Sequence, residues 1–184
     1  MALRMSRARD RKAERVMDTG LLVARIVFGL VMAAHGSQKL FGWFGGYGLT
    51  GTGGFFEQLG FRPGRTFAAL AGATEFGSGL LLALGLLGPV GPAAILSVML
   101  VAALTVHWPQ GLFAQNNGVE VPLLYSTLGI ALAFTGYGAY SLDAALGLDS
   151  VWTTGLTLTV LALGAIGGVV NVAIRRPAAA HAAA

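Results

Sequence analysis

Four ionisable side chains, Arg25, His35, Lys39 and Glu75, lie in or beside the first two of several long apolar stretches. If those stretches cross a membrane, each charge at mid-depth costs at least about 2.5 to 3.5 kcal/mol, so each needs a partner, a route to the interface or a function. At about 100° per residue, Arg25, His35 and Lys39 fall within an arc of roughly 80° on one helix face, a side they share with Gly29 and Gly36. Glu75 has the complementary setting, on one side of its helix with Ala68, Ala71, Gly72, Ser78 and Gly79. Small residues let helices approach closely in a membrane, so the two stripes are expected to face each other and Glu75 to pair with His35 or Lys39. Such a cluster serves either as an ion pair that fixes helix register or as a polar pocket. A pocket open to the outer side would take the head of a lipid-soluble molecule or pass protons. Arg25, close to the inner boundary, is read as snorkelling to the interface.

The elements that must carry these residues follow from composition. Of 184 residues, 55% are hydrophobic and only 11% charged, with a mean hydropathy of +0.70. Globular chains carry roughly 25% charged residues, so lipid is the solvent for most of this one. The net charge of +4 is concentrated at the start, in Arg4, Arg7, Arg9, Arg11, Lys12 and Arg15. That is a juxtamembrane basic arm suited to anionic headgroups and lacks the interleaved groups that read nucleic acid. The arm and the long apolar run after it read as an uncleaved first helix rather than a signal peptide. It forms either an interfacial helix or a disordered segment against lipid. The chain has no cysteine, which removes thiol relays, disulfides, iron-sulfur clusters and thiolate metal sites.

Spans are expected at residues 21–41, 66–87, 93–106, 122–135 and 151–174. The Gly-rich GWFGGYGLTGTGG after the first reads as a loop, with Trp43, Phe44 and Tyr47 at headgroup level and a short amphipathic piece over 55–59. The third run is short, which implies tilt or a partly buried end. Pro122 suits the first turn of the fourth helix. The positive-inside rule puts the N-terminus in the cytoplasm and, after five crossings, the C-terminus outside. Arg62, Arg65, Arg175 and Arg176 pull the other way, and four crossings with one re-entrant or interfacial segment would restore the balance.

His107 ends the third run on the membrane side of His35. Two histidines could ligate haem, but such sites need both rings well inside the bundle and a spacious apolar slot, so haem is disfavoured, and the histidines with no carboxylate pair make a poor metal site. In the last run Gly164 and Gly168 form a GxxxG with Asn171 one turn on, which fits either a partner interface or packing within the chain.

In combination, HGSQKLFGWFGG at 35–46, the GTGGFFEQLG that follows, AGATEFGSGLLLALGLL at 71–87, HWPQGLF, NNGVEVPLL and YSLDAAL at 140–146 resemble the DoxX family of small bacterial membrane proteins. The resemblance implies an all-α integral membrane protein: a four-helix transmembrane bundle of DoxX type, here with a fifth C-terminal transmembrane helix. It divides the chain into a basic cytoplasmic arm (1–18), a DoxX-like membrane domain (19–148), an additional helix (149–176) and a tail (177–184). Members of this family, and the similar DoxD subunit of thiosulfate:quinone oxidoreductase, are associated with redox complexes of the bacterial cytoplasmic membrane.

What the resemblance implies for this chain is a subunit that binds quinone or a similar lipid-soluble molecule and anchors a soluble redox enzyme, or else a homo-oligomer, amid membrane lipids. His35 and Glu75 would exchange protons with the quinone oxygen, as a near-neutral imidazole and a desolvated carboxylate can. Gln38, Lys39, Trp43, His107 and Asn117 would bind it, with Lys39 as electrostatic support, and Gly29, Gly36, Gly72, Gly79, Gly164 and Gly168 would form helix interfaces. Two alternatives use the same bundle without redox chemistry. A transporter would show inverted repeats with interrupted helices, and none is evident between the halves. An assembly factor would depend on the glycines of the last helix more than on Glu75.

Overall fold

Forty consecutive residues, Ala2–Phe41, form one helix, α1, in the computed structural model of the protein, which describes residues 2–176 and the side chains of residues 9–176. The side chains of Arg4 and Arg7, and Pro177 with the tail 177–184, lie outside the described residues. At 1.5 Å per residue α1 is about 60 Å long, twice a ~30 Å hydrocarbon core. Its first third therefore stands clear of the bundle. Residues 9–17 are exposed, and Asp18 ties the helix to a distant part of the chain, its carboxylate accepting the Ala139 amide at 3.0 Å. The basic arm is thus a continuation of the first span, with no break between them.

The remaining helices are α2 (Gly48–Gln58), α3 (Gly64–Leu84), α4 (Val90–Ala102), α5 (Glu120–Thr135), α6 (Leu142–Leu146) and α7 (Thr154–Ile174). Gly85, at φ 66°, ends α3 in the left-handed conformation that glycine adopts without a Cβ clash. Thr153 caps α7, its hydroxyl accepting from the Leu156 amide. The long helices alternate in direction. Gly91 at the start of α4 lies against Leu81 near the end of α3, the Tyr137 hydroxyl beyond α5 donates to the Gly88 carbonyl, and Arg176 beyond α7 donates its amide to Gly60, just before α3. Met32, Leu82, Ile95, Met99, Tyr125 and Leu132, from α1, α3, α4 and α5, fill the centre.

Four helical segments are long and apolar enough to cross a membrane: Arg9–Phe41, Gly64–Leu84, Val90–Gln110 and Thr154–Ile174. The chain is an all-helical multi-pass membrane bundle. The third apolar run reaches 21 residues because helix starts earlier, at Val90, and winds on through 103–110. The short helix is α5, whose 16 residues rise about 24 Å.

The Gly-rich segment is helical from Gly48, where a loop is expected from composition. Helix propensity of glycine is low, but packing overrides it. Thr52 and Gly53 are buried against α3, and a Cβ on Gly53 would lie 3.0 Å from the Arg65 backbone.

Candidate functional site

The face of α1 that carries Gly29 and Gly36 lies on the face of α3 that carries Gly72 and Gly79. A Cβ on Gly36 would stand 2.4 Å from the Phe76 nitrogen and 2.6 Å from the Gly72 carbonyl, and one on Gly29 would stand 2.6 Å from the Gly79 carbonyl. A Cβ on Gly72 would meet the Cβ of Lys39 at 3.1 Å. The missing side chains let the two backbones close, and this sets Lys39 over Glu75, one turn beyond Gly72. Lys39 Nζ donates to Glu75 Oε2 at 2.5 Å, with side chains 25% and 7% exposed.

This pair lines a cavity of about 270 Å³ walled by α1, α2, α3, α4 and α7. Phe55, Phe56, Phe61 and Phe67 give it an aromatic side, and Thr74, Ser97, Thr105, His107 and Asn171 supply further polar atoms. The α4 wall is shaped by an irregularity: Ala103–His107 is wound as a π-helix, and Thr105, Val106 and His107 reach the cavity from it. Such wide turns recur at functional sites. His107 Nδ1 is 2.6 Å from the Asn117 carbonyl. A carbonyl only accepts, so Nδ1 carries the hydrogen and Nε2 of the neutral ring is free to accept one.

The other proposed site residues lie around this cavity rather than in it. His35 is exposed on α1, its Nδ1 3.2 Å from Gln38 Oε1 and its ring edge-on to Tyr125. Gln38 donates to the Phe44 carbonyl and lines a second hollow of about 680 Å³, which shares Lys39, Phe55 and Phe56 with the first. Trp43 stacks on Phe41 at the exposed end of α1, and Asn117 contributes its backbone carbonyl to His107. Asn171, absent from the expected binding set, arrives from α7 because Gly164 and Gly168 seat that helix on Ala93 and Ser97 of α4. This contact within the chain accounts for the GxxxG. Among the described residues no three His, Cys, Asp or Glu side chains gather as a metal set.

A second polar cluster closes the opposite end of the bundle. Arg25 is 2% exposed and does not snorkel. Its guanidinium donates to the Tyr140 carbonyl and to the Ala83 carbonyl in the last turn of α3, where the partial negative charge of a helix C-terminus substitutes for an acid. Asp143, 1% exposed, accepts from the amides of Leu87 at 2.8 Å and Gly88 at 2.6 Å and from Trp152 Nε1 at 3.1 Å. It thereby holds Leu87 at φ 61°, a left-handed conformation that costs a side-chain-bearing residue energy. Burial, and then the Asp143 charge, push the Tyr137 phenol above its ordinary pKa, so it remains a donor to Gly88. The sequence signal for Asp143 was an acid flanked by Leu142, Ala144 and Ala145 in a turn otherwise read as a connection.

No curated protein and no solved structure matches the chain. Comparison with protein-family models matches residues 20–108 to DoxX. The matched stretch holds the bundle part of α1, all of α2 and α3, and α4 through its π turn, and so contains Lys39, Glu75 and His107; α5 and α7 lie beyond it. Over that stretch, just under half of its length, the chain is similar to the DoxX family.

Proposed function

We propose that the cavity binds a lipid-soluble molecule with a hydrogen-bonding head, a quinone being the best fit, and that the bundle is the membrane subunit of a redox complex in the bacterial cytoplasmic membrane. The observation that carries the reading is the Lys39–Glu75 pair opening into a space walled mostly by apolar and aromatic groups, with a few polar side chains among them. An apolar pocket with a few convergent polar groups is the usual form of a small-molecule site. The association of DoxX proteins with redox systems adds the chemical class. In this reading the Lys39 ammonium donates to a head-group oxygen, Glu75 and His107 exchange its protons, and Asn171 offers an amide. His35 stands outside the cavity wall, so its contribution is confined to the hydrogen-bonded approach through Gln38. Electrons come from a soluble partner docked on the bundle, since the chain has no cysteine to hold a cluster.

The test is titration of a short-chain quinone into purified protein by calorimetry, with Glu75→Gln and Ala71→Phe. Ala71→Phe fills the cavity and leaves the ion pair in place. Binding lost at least tenfold in both variants, with Ala71→Phe still helical and monodisperse, supports the reading. Unchanged affinity in Ala71→Phe, or no binding by the native protein, refutes it.

A further inference from the structure

Residues far apart in sequence converge where α7 ends. The Arg176 amide donates to the Gly60 carbonyl at 2.8 Å, which brings Arg175 and Arg176 beside the turn that carries Arg62 and the first turn of α3, which carries Arg65. Among the described residues, none of these four arginines has an acidic side chain within 4.0 Å. The two acids of this end are committed to backbone amides: Glu57 accepts from Gly64 at 3.2 Å and Glu120 from Ala114 at 2.7 Å. Both arginine pairs flank membrane-spanning helices directly, which sets their guanidiniums at headgroup depth. Below them the surface is apolar. Leu70 on α3 and Val170 and Ile174 on α7 are each at least half exposed, and they border the side on which Leu70 and Asn171 line the cavity.

We propose that Arg62, Arg65, Arg175 and Arg176 form a binding site for one anionic phospholipid, its phosphate and headgroup oxygens held by the guanidiniums and its acyl chains lying along the flank of α3 and α7. The depth of the cluster and the apolar surface beneath it favour a lipid over an acidic protein, which would need the patch to stand free of the bilayer. Guanidinium forks match phosphate oxygens in pairs, and loss of each basic group at a membrane surface weakens anionic-lipid binding about fivefold, the equivalent of about 1 kcal/mol. The site stands apart from the quinone reading, because it lies on the rim and its ligand need not enter the cavity.

The experiment is native mass spectrometry of the full chain in mild detergent, titrated with phosphatidylglycerol or phosphatidylcholine. The variants are Arg62→Gln with Arg176→Gln, the four-arginine neutralisation, and, as control at the other end, Arg9→Gln, Arg11→Gln, Lys12→Gln and Arg15→Gln together. The expected result is a tight stoichiometric phosphatidylglycerol, weakened more than tenfold by the double substitution and lost with four, while the arm variant retains it and quinone affinity is unchanged. Equal retention of the two lipids, or loss that follows only the arm, overturns the proposal. So does an acidic protein that copurifies stoichiometrically and is released by the double substitution in the absence of any lipid preference. Circular dichroism of each variant separates loss of the site from loss of the fold.

Discussion

Removing one partner of the Lys39–Glu75 pair should cost more than removing both. Lys39→Met strands a carboxylate whose side chain is 7% exposed. Breaking a buried pair in this way costs about 3–5 kcal/mol, and the quarter exposure of Lys39 places this case near the lower end, about 3 kcal/mol. Glu75→Leu should cost less, about 1 kcal/mol, because the long lysine can turn its ammonium toward the interface. Lys39→Met with Glu75→Leu replaces both charges by apolar groups of similar size and should return to within about 1 kcal/mol of the native protein. The coupling energy is then about 3 kcal/mol, well above the scatter of independent sites. Reversible unfolding in mixed micelles measures it. Additive effects, with each variant within about 1 kcal/mol of native, would refute the account of the pair as a desolvated contact. Quinone titration of the double variant then separates two roles: a folded protein that no longer binds has lost its chemistry, whereas one that still binds shows a pair that only sets register.

Three further outcomes follow from contacts described above. Gly36→Ala drives a methyl into the Phe76 and Gly72 backbone and should destabilise the bundle by about 1–3 kcal/mol in the same unfolding assay, while Gly20→Ala, with nothing within 4 Å, should not. Asp143→Asn presents an NH2 group to donors that need an acceptor; it should cost about 1–3 kcal/mol and speed amide exchange at Leu87 and Gly88. Tyr137 has its pKa raised on folding, so its contribution is complete below the ordinary phenol value of 10.0 and is lost as pH rises above it. Tyr137→Phe should accordingly flatten the alkaline fall in melting temperature, and an unchanged slope would contradict the assignment.

The bundle was legible because lipid demands long apolar runs, and the approach of α1 to α3 because Gly29, Gly36, Gly72 and Gly79 recur at helical spacing on stripes that also carry charge. Depth along two antiparallel helices brings Glu75 level with both His35 and Lys39, but the choice between them depends on rotation about each axis, which spacing alone leaves open. The helix at Gly48–Gln58 was hidden since its stability comes from burial against α3, while its composition argues for a loop. Arg25 near a span end resembles any snorkelling residue. Its burial is decided by the free carbonyls of a helix terminus some 58 residues away. Asn171 and the arginine cluster were invisible for a similar reason, each depending on where a late helix docks.

The π turn in α4 has a consequence for length. One turn there contains more residues than an α-helix uses, so the segment 103–107 behaves as a local insertion. Deleting a single residue from it would restore α geometry and leave everything beyond in nearly the same register, because four residues of α-helix turn about as far as the five of the wide turn. Relatives that lack one residue at this point should therefore keep both the bundle and the imidazole in the pocket, whereas the same gap within Val90–Ala102 would rotate His107 away by about 100°. In this span the place of a gap, in the wide turn or before it, decides whether the chemistry survives.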